Sequence, residues 1–338
     1  MKKPTHADAF QVLLLQAADE GRGDILFGES FSRARNSLLP FMVGKAFPNV
    51  YFEHPLIGEP FLDVTVLLGE LEPNTRIASE AATGTEALLD WYAKVRPEYS
   101  DVSCGFELDT KEADLPKAAV HFQPRKHKNL VRPFFEAIGE PERAQLYLDL
   151  AERMPEGWPL SFFGLFRGRP GSPLRICGYH SVDDAHAYAD GPAHIASVFD
   201  ELGFSAYNDV MLEQVSELFA TVPGATDFQL DVYPDGSLGS TFAIDMQFKI
   251  ERPEMVRASF KDGRGARVMN LLKKWGIADE RWSLSADAAF ARALPVELDD
   301  GTIGRYAFTL MPQWAKVRWC DGVLQPSKLY MLASAEIL

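Results

Sequence analysis

Apolar and polar residues alternate along ten short segments of the chain, which form five pairs, and a stretch of helical spacing precedes each pair. Alternation is typical of strands with one buried face, and Gly, Pro, Asp and Ser between paired segments indicate hairpin turns. The predicted strand pairs are 49–55 with 61–69, 102–110 with 117–124, 160–168 with 174–181, 227–233 with 240–249, and 305–319 with 325–334. One unit repeated five times predicts the architecture before any single residue is interpreted.

Helical spacing of apolar residues marks the segments between the strand pairs. These predicted helices are 32–45, 85–95, 129–154 with a break at 139–141, 193–222 with a break near residue 203, and 253–276. Pro141 and Pro253 lie where a first helical turn accepts proline, and Gly203 and Gly276 lie where helices end. Five helix-strand-strand units predict an α+β fold, a ten-stranded antiparallel β-barrel that closes on itself and is ringed by outer helices.

The two faces of the predicted strands differ in polarity. One face is apolar, as helices that pack on a sheet require. The other face carries Tyr51, Glu53, Asp63, Thr65, Ser103, Glu107, His121, Gln123, Arg175, Cys177, Tyr179, Gln229, Asp231, Tyr233, Thr241, Asp245, Gln247, Lys316, Arg318, Lys328 and Tyr330. Side chains just fill a barrel of about eight strands, so ten strands should leave a chamber lined by this polar face.

Length and composition agree with one globular domain. A chain of 338 residues with 46% hydrophobic residues buries a large core, and one barrel uses nearly all of it. We therefore expect a single domain over 1–338, with a helical extension over 1–30. The net charge of -14 argues against nucleic acid and anionic membranes as partners, because no basic face is present to contact phosphates. Three scattered cysteines and the lack of a signal-peptide pattern favour a cytoplasmic protein.

The repeat pattern resembles the aromatic prenyltransferase barrel, often called the ABBA fold. Within that superfamily, two stretches are most similar to the cyanobactin peptide prenyltransferases. They are Ser103 to Arg125 (SCGFELDTKEADLPKAAVHFQPR) and Phe228 to Met246 (FQLDVYPDGSLGSTFAIDM). The chain departs from the pattern at Ala119 and Gly239, where basic residues are expected. The resemblance implies transfer of an isoprenoid from its diphosphate to an indole or phenol carbon, a phenol oxygen, or a guanidine or imidazole nitrogen.

The resemblance also implies which residues hold the substrates. The family places a Lys-X-Tyr or Arg-X-Lys-X-Tyr pattern on successive strands around the diphosphate, and the period of two directs these side chains inward. Lys328 and Tyr330 match the short form, and Arg175 and Tyr179 match the long form with Cys177 where lysine is usual. The expected substrate-binding residues are Arg175, Tyr179, Lys316, Arg318, Lys328, Tyr330, His121, Gln123, Asp231, Tyr233, Asp245 and Trp314. Among these, an aromatic ring such as that of Trp314 would shield the allylic cation.

For the catalytic base, the family uses an acid on its first barrel strand, and Glu53 is the nearest match. A solvated position at the strand end, beside His54 and Pro55, is the alternative for Glu53. The expected lumen holds about as many acids as bases. Either Mg²⁺ bridges the diphosphate oxygens to one or two carboxylates, or the chamber no longer binds a diphosphate.

A second interpretation of the cations is structural. Arg175 and Lys328 would then pair with inward carboxylates such as Asp231 or Asp245, in an ion network that binds no ligand. Two functions therefore remain open. The first is a prenyltransferase that acts on an aromatic small molecule or a peptide side chain. The second is a barrel of the same fold that binds or modifies another small ligand or peptide without diphosphate chemistry.

Other kinds of site have little support in the sequence. No Gly-X-Gly-X-X-Gly loop, Walker loop or Gly-X-Ser-X-Gly elbow is present. Asp183 and Asp184 are expected in a polar loop, without the helical spacing of an Asp-rich isoprenoid synthase motif. His180, His186 and His194 flank the same pair, but their polar neighbours argue against a metal site.

Overall fold

The computed structural model describes residue 27 and residues 30–44, 49–111, 117–223, 227–297 and 301–337. The predicted extension over 1–30 therefore lies almost entirely outside the described residues. The described strands are β1 (Asn49–Pro55), β2 (Asp63–Leu67), β3 (Ser103–Leu108), β4 (Ala119–Gln123), β5 (Leu160–Leu165), β6 (Leu174–Tyr179), β7 (Asp227–Val232), β8 (Leu238–Gln247), β9 (Phe290–Glu297), β10 (Ile303–Cys320), β11 (Val323–Leu324) and β12 (Lys328–Ile337).

Ten of these strands form a closed antiparallel ring. Its order is β1-β2-β3-β4-β5-β6-β7-β8-β10-β12, and β12 pairs with β1 to close it. The predicted ten-stranded barrel is thus confirmed, and all five predicted strand pairs are present. Closure leaves no open edge in the ring, and its inner and outer faces alternate along every strand.

The longest strand, β10, changes partners along its length. Its first half pairs with β9 and its second half pairs with β8, while β12 runs along its other side. The register shifts between Pro312 and Trp314, so that Gln313 is the extra residue of a bulge. Proline cannot donate to a ladder of hydrogen bonds and is typical of such bulges. The bulge comes before Trp314, and the predicted inward parity of residues 314–318 therefore holds.

Nine α-helices are described, and they lie outside the barrel. They are α1 (Ser30–Leu38), α2 (Glu86–Val95), α3 (Val131–Ala137), α4 (Glu142–Arg153), α5 (Val182–Asp190), α6 (Pro192–Leu202), α7 (Asp209–Thr221), α8 (Glu254–Lys261) and α9 (Arg264–Lys274), with short 3₁₀ turns at Leu39–Phe41, Glu80–Ala82, Lys128–Leu130 and Glu280–Ser285. Within the described part of the chain, no helix has the length and apolar character needed to cross a bilayer.

Helix α5 corrects one prediction, because Asp183 and Asp184 lie in its first turn and not in a loop. The side chain of Ser181 caps this helix by accepting a hydrogen bond from the Asp184 backbone N–H at 3.0 Å. The Ser181 hydroxyl also donates to the Asp184 carboxylate at 2.7 Å. A capping serine followed three residues later by an acid is a sequence signal for the start of a helix. The many polar residues of this segment made a loop the expected structure instead.

Aromatic side chains join the helices to the outer face of the barrel. The ring of Phe122 on β4 stacks on Phe134 of α3 with centroids 4.8 Å apart, and Phe163 on β5 stacks on Phe135 at 5.0 Å. All four side chains are fully buried. Burying a side chain of this size stabilises the fold by about 1.5–3 kcal/mol. This packing fixes which strand face is outward, and the alternate polar residues consequently face the lumen.

Candidate active site

The lumen contains two connected chambers, displaced along the strands. The cationic chamber has a volume of about 40 Å³ and is lined by Glu53, Glu107, Arg169, Arg175, Gln229, Asp231, Thr241, Ala243, Lys316, Arg318, Pro326, Lys328 and Tyr330. The aromatic chamber has a volume of about 330 Å³, and its walls include Tyr51, His121, Gln123, Phe162, Tyr179, Asp227, Asp245 and Trp314. Glu53, Glu107, Arg175, Gln229, Lys316 and Tyr330 border both chambers.

The period of the strands separates the two chambers. Tyr179 lies on the same face of β6 as Arg175, four positions away, and Asp227 has the same relation to Asp231 on β7. Trp314 and Arg318 repeat this spacing on β10. Four residues of strand span about 13 Å. The rings of Tyr179 and Trp314 therefore lie at a different level of the lumen from the guanidinium group of Arg318 and the carboxylate of Asp231.

In the cationic chamber, Arg175 and Asp231 face each other on β6 and β7. The Arg175 Nε and Nη2 atoms donate to the two carboxylate oxygens of Asp231 at 2.8 and 3.0 Å. Burial disfavours the charged form of both residues, but the attraction and hydrogen bonds between them are stronger than this effect. The pKa of Arg175 is therefore raised and the pKa of Asp231 is lowered. This bidentate pair is the strongest ion-pair geometry available to proteins, and the predicted pairing of Arg175 with Asp231 is present.

Glu53 lies at the centre of a second network. Its carboxylate accepts hydrogen bonds from Thr65 Oγ1 at 3.0 Å, Tyr330 Oη at 2.6 Å and Lys328 Nζ at 3.5 Å. Lys328 also donates to Asp63 at 2.8 Å, and not to Asp231 or Asp245 as the sequence suggested. Glu53 is 2% exposed, so the solvated alternative for this residue is wrong.

Arg169 supplies a cation that the sequence analysis missed. It lies in the turn between β5 and β6, where strand alternation gives no information about direction. Its Nη2 donates to Glu107 at 3.0 Å and to Asp109 at 3.1 Å, and its guanidinium lies 3.9 Å from the centroid of the Phe166 ring. His121 Nε2 lies 3.1 Å from the other oxygen of Glu107. Despite its burial, these partners hold the pKa of Glu107 well below its usual value.

The space beside Ala119 explains how Arg169 reaches the lumen. Ala119 and Arg169 border the same small gap, of about 10 Å³, together with Glu107. A basic side chain was expected at residue 119, and here the small alanine leaves room for an arginine from the turn. Gly239, the other departure, lies against Asp231. A Cβ at residue 239 would come within 3.2 Å of the Asp231 Cβ.

Two further cations come from β10. Lys316 Nζ lies 4.0 Å from Asp245 Oδ1 and 4.6 Å from the centroid of the Tyr330 ring. Arg318 lines the cationic chamber, and it forms no ion pair or hydrogen bond with any described residue. Partial burial and the nearby Arg175 lower its pKa. Arg318 is thus the cation that a bound anion can reach without breaking an existing contact.

The aromatic chamber has a stack of three rings along one wall. The Trp314 ring lies 4.9 Å from Tyr330 and 4.9 Å from Tyr51, measured between centroids. The Trp314 Nε1 atom is buried and donates to no described residue. Asp227 and Asp245 face each other on β7 and β8, and β8 is the neighbour of β10, which carries Trp314. The chamber therefore combines aromatic surface with carboxylates.

Of the thirteen predicted site residues, all but Tyr233 line one of the two chambers. Tyr233 follows the last residue of β7, is 37% exposed and packs beside Gly171 and Gly239. The parity argument stops at the hairpin turn, so it does not apply to this residue. Cys177 is fully buried, and burial raises the pKa of its thiol well above the usual value.

The histidines near α5 are held apart by different surroundings. His180 is buried among Trp158, Tyr188 and other rings, and His194 Nε2 lies 2.9 Å from Asp184 Oδ1. Within the described ranges, no three His, Cys, Asp or Glu side chains are arranged to hold a metal ion. The lumen carboxylates contact arginine, lysine, histidine, hydroxyl or amide groups instead. These residues do not fit a Mg²⁺ ion held by the protein alone, since such a site needs several converging oxygens.

Comparison with solved structures supports the fold assignment. A 5-dimethylallyltryptophan synthase from Streptomyces coelicolor matches with a TM-score of 0.53 and 14% identity, over 98% of both chains. A structure of 5-dimethylallyl tryptophan synthase from the same organism in complex with DMASPP and Trp matches at a TM-score of 0.49 and 15% identity, over 98% of this chain and 96% of the other. AnaPT from Neosartorya fischeri matches at 0.46 and 11%, over 96% and 90%.

No protein-family model matches the chain, and no curated protein matches it significantly. The likeness to the first of these structures extends over 98% of both chains, while the two sequences are only 14% identical. The similarity of the matched structures is therefore one of fold. This chain has the closed ten-stranded barrel, surrounded by helices, of the aromatic prenyltransferases.

Proposed function

We propose that this protein is a prenyltransferase that transfers an isoprenoid from its diphosphate to an electron-rich acceptor in the aromatic chamber. The observation that carries this proposal is the meeting of Arg169, Arg175, Lys316, Arg318 and Lys328 in one chamber, directly beside a chamber walled by aromatic rings. A dimethylallyltryptophan synthase shares the fold. The similarity to cyanobactin enzymes extends the proposed acceptors from aromatic small molecules to peptide side chains.

The proposed reaction divides between the chambers. The allylic C–O bond breaks, and the diphosphate leaves with the bonding electrons toward the cationic chamber, where guanidinium and ammonium groups stabilise its charge. The allylic cation would form beside the aromatic wall that includes Trp314 and Tyr330, whose rings stack on each other at 4.9 Å. A bond then forms between the allylic carbon and the acceptor atom, and the acceptor loses a proton.

Glu53 is the proposed acceptor of that proton. It borders both chambers, so it lies between the proposed positions of the diphosphate and of the acceptor. Hydrogen bonds from the Thr65 and Tyr330 hydroxyls orient its carboxylate. A positioned base of this kind contributes roughly 10²–10⁴ to a rate.

Binding of a diphosphate requires the cationic chamber to rearrange. A volume of about 40 Å³ has room for only a few water molecules, because each needs about 10–15 Å³ on this measure, and a diphosphate is larger. Arg318 is free to make the first contact. Lys328 and Arg169 would then exchange carboxylate oxygens for phosphate oxygens. We propose that this exchange makes the chamber selective for highly charged anions, because a weaker ligand cannot replace the carboxylates.

The same ion pairs favour a second candidate function. With Arg175 bound to Asp231, Arg169 to Glu107 and Lys328 to Asp63, most of the charge in the chamber is already neutralised. A barrel in this state would bind or modify another small ligand or peptide in the aromatic chamber without diphosphate chemistry. The alternatives differ in whether an isoprenoid diphosphate is consumed.

The deciding experiment is a product assay. The purified protein is incubated with dimethylallyl or geranyl diphosphate, with and without Mg²⁺, and with tryptophan, tyrosine or short peptides rich in aromatic, arginine and histidine residues. Mass spectrometry that finds an acceptor heavier by one isoprenoid, with matching release of diphosphate, supports the proposal. No product with any acceptor, under conditions where neither diphosphate raises the melting temperature, supports the second candidate.

A further inference from the structure

The aromatic chamber differs from the cationic chamber in how its acids are neutralised. In the cationic chamber, Asp231 accepts two hydrogen bonds from an arginine. In the aromatic chamber, Asp227 accepts a hydrogen bond from the Gln247 amide at 3.3 Å and forms no ion pair with any described residue. Amide donors satisfy hydrogen bonds but carry no charge, so among the described residues the charge of Asp227 is offset only partly, by the nearby Lys316, which does not contact it.

Asp245, in the wall of the same chamber, has a carboxylate oxygen that lacks a hydrogen-bond donor among the described residues. Its Oδ2 accepts a hydrogen bond from the Gln229 amide at 2.6 Å, whereas its buried Oδ1 accepts none from the described residues. Lys316 Nζ lies 4.0 Å from Oδ1, beyond hydrogen-bond distance. Asp245 is only 3% exposed, so water is largely excluded from this oxygen. A buried acceptor without a donor is costly, and a ligand that donates to it would remove that cost.

The surroundings of the two acids suit a cation of moderate size. The chamber of about 330 Å³ is walled by Tyr51, Trp314 and Tyr330, whose rings give an electron-rich, largely apolar surface to the body of an organic cation. Asp227 lies between Tyr179 and Asp245 in strand register, so the two carboxylates are neighbours on one wall. A ligand with an apolar or aromatic body and one cationic nitrogen would fill the space and pair with both acids.

We propose that the aromatic chamber selects an acceptor that carries a cationic nitrogen, an ammonium or a guanidinium group, which binds between Asp227 and Asp245 with its hydrocarbon or aromatic part against the Tyr51, Trp314 and Tyr330 rings. The inference rests on the proposed function in one respect, namely that the occupant of this chamber is the prenyl acceptor. Ordinary uncharged phenols and indoles would fill the same chamber more weakly.

The ionisation of the pair agrees with this assignment. Burial and mutual repulsion raise the pKa of Asp227 to about 7, and burial, opposed by Lys316, raises the pKa of Asp245 to about 6. A bound cation would favour the ionised forms and release protons on binding. The other ionisable groups that face the pair are Lys316 on β10, Arg175 and Cys177 on β6, Glu53 and Tyr51 on β1, and Arg125 after β4.

The test compares charged probes with a neutral one, in the absence of any diphosphate. Tryptamine, agmatine and uncharged 3-ethylindole are titrated calorimetrically into the wild-type protein, the Asp227→Asn, Asp245→Asn double variant, and an Asp235→Asn control in the exposed turn of the same hairpin. Wild type and control should bind at least one of the two cations about tenfold more tightly than 3-ethylindole, or better. The double variant should lose that preference.

Equal affinity for charged and neutral probes, or a preference that survives in the double variant, would overturn the inference. The same three proteins are also titrated with dimethylallyl diphosphate. It should bind to the control as to wild type, and to the double variant no more weakly, because loss of the Asp245 charge leaves Lys316 available to the diphosphate. A cation preference without any binding of diphosphate to wild type would support the cation site and contradict prenyl transfer. Unchanged melting of the double variant at about pH 4, where both acids are protonated in the folded protein and largely so in the unfolded chain, would show that it folds.

Discussion

The cationic and aromatic chambers are built on the same strands but differ in free volume and in how their charges are paired. In the cationic chamber, four of the five cations lie against carboxylates and little free volume remains. In the aromatic chamber the volume is about eight times larger, and two acids lack a firm cationic partner. A ligand enters the first chamber only by replacing existing ion pairs. A ligand enters the second chamber by filling space that is already open.

This difference indicates what a ligand needs in order to bind in each chamber. Breaking a buried ion pair leaves an uncompensated charge, so a ligand of the cationic chamber must bring charge of its own. A ligand of the aromatic chamber gains most from shape and burial, with charge as the basis of selection. Variants that change one chamber should therefore leave binding in the other nearly unaltered, and this independence can be measured.

Glu53 borders both chambers, and its substitution should give the largest effect on activity. Glu53→Gln keeps the shape of the side chain but removes the proton acceptor, so we expect turnover to fall roughly 10²–10⁴-fold. Affinity for dimethylallyl diphosphate should change much less. Glu59→Gln, in the exposed turn between β1 and β2, is the matched control. A Glu53→Gln protein with normal turnover would require another base, for which His121, paired with Glu107, is the nearest candidate.

Arg175 tests whether the ion pairs of the cationic chamber are structural. Arg175→Met leaves Asp231, whose side chain is only 15% exposed, without its partner, and we expect the free energy of unfolding to fall by roughly 3 kcal/mol, the lower end for a buried pair. The double variant Arg175→Met, Asp231→Leu should recover most of that stability, since neither charge then remains. Denaturant unfolding measures both changes. A loss well below 1 kcal/mol in the single variant would mean that the pair contributes little and is already free for a ligand.

Asp227 and Asp245 should make the stability of the ligand-free protein depend on pH. Their pKa values are raised to about 7 and about 6 on folding, so their ionisation costs stability progressively as pH rises from about 4 to about 7. The Asp227→Asn, Asp245→Asn variant avoids that cost. It should melt higher than wild type at about pH 8, by roughly 2–4 °C for each kcal/mol recovered, and equally at about pH 4, where the two acids are protonated in both the folded and the unfolded state.

Thermal unfolding at both pH values checks this expectation. The buried histidines His54 and His180, whose pKa values are lowered by burial, titrate in the same range, but both proteins carry them and their effect cancels in the comparison. A melting difference of the same size at both pH values would show that the two acids are not the titrating groups.

The architecture was predictable because period two and turn chemistry are local signals. All ten ring strands were predicted, and β1 to the residue. The bulge beside Pro312 was also predictable, because proline has no N–H group to donate to the hydrogen bonds between neighbouring strands. Strand β9 was missed. It contains Pro295, shows no clean alternation, and is held by its pairing with the first half of β10.

The site was predictable only where neighbouring strands determine it. Arg175 and Asp231 are on adjacent strands, and their pairing was foreseen. The partner of Lys328 was not foreseen, because Asp63 approaches it only after β12 closes the ring against β1. Arg169 was missed because a turn sets its direction, although an Arg-Gly-Arg sequence in a hairpin turn was a usable signal. Long-range closure and turn geometry are the properties that alternation does not encode.

The most direct test of the proposed diphosphate site is a calorimetric titration of dimethylallyl and geranyl diphosphate into three proteins, with and without Mg²⁺. The proteins are wild type, Arg318→Gln and the control Arg305→Gln, which lies exposed at the other end of β10. Because Arg318 has no described partner to lose, its substitution should not destabilise the barrel. We predict saturable binding to wild type and control, and about 10–100-fold weaker binding to Arg318→Gln. No saturable binding to wild type, or equal affinity in all three proteins, would contradict a diphosphate site in the cationic chamber.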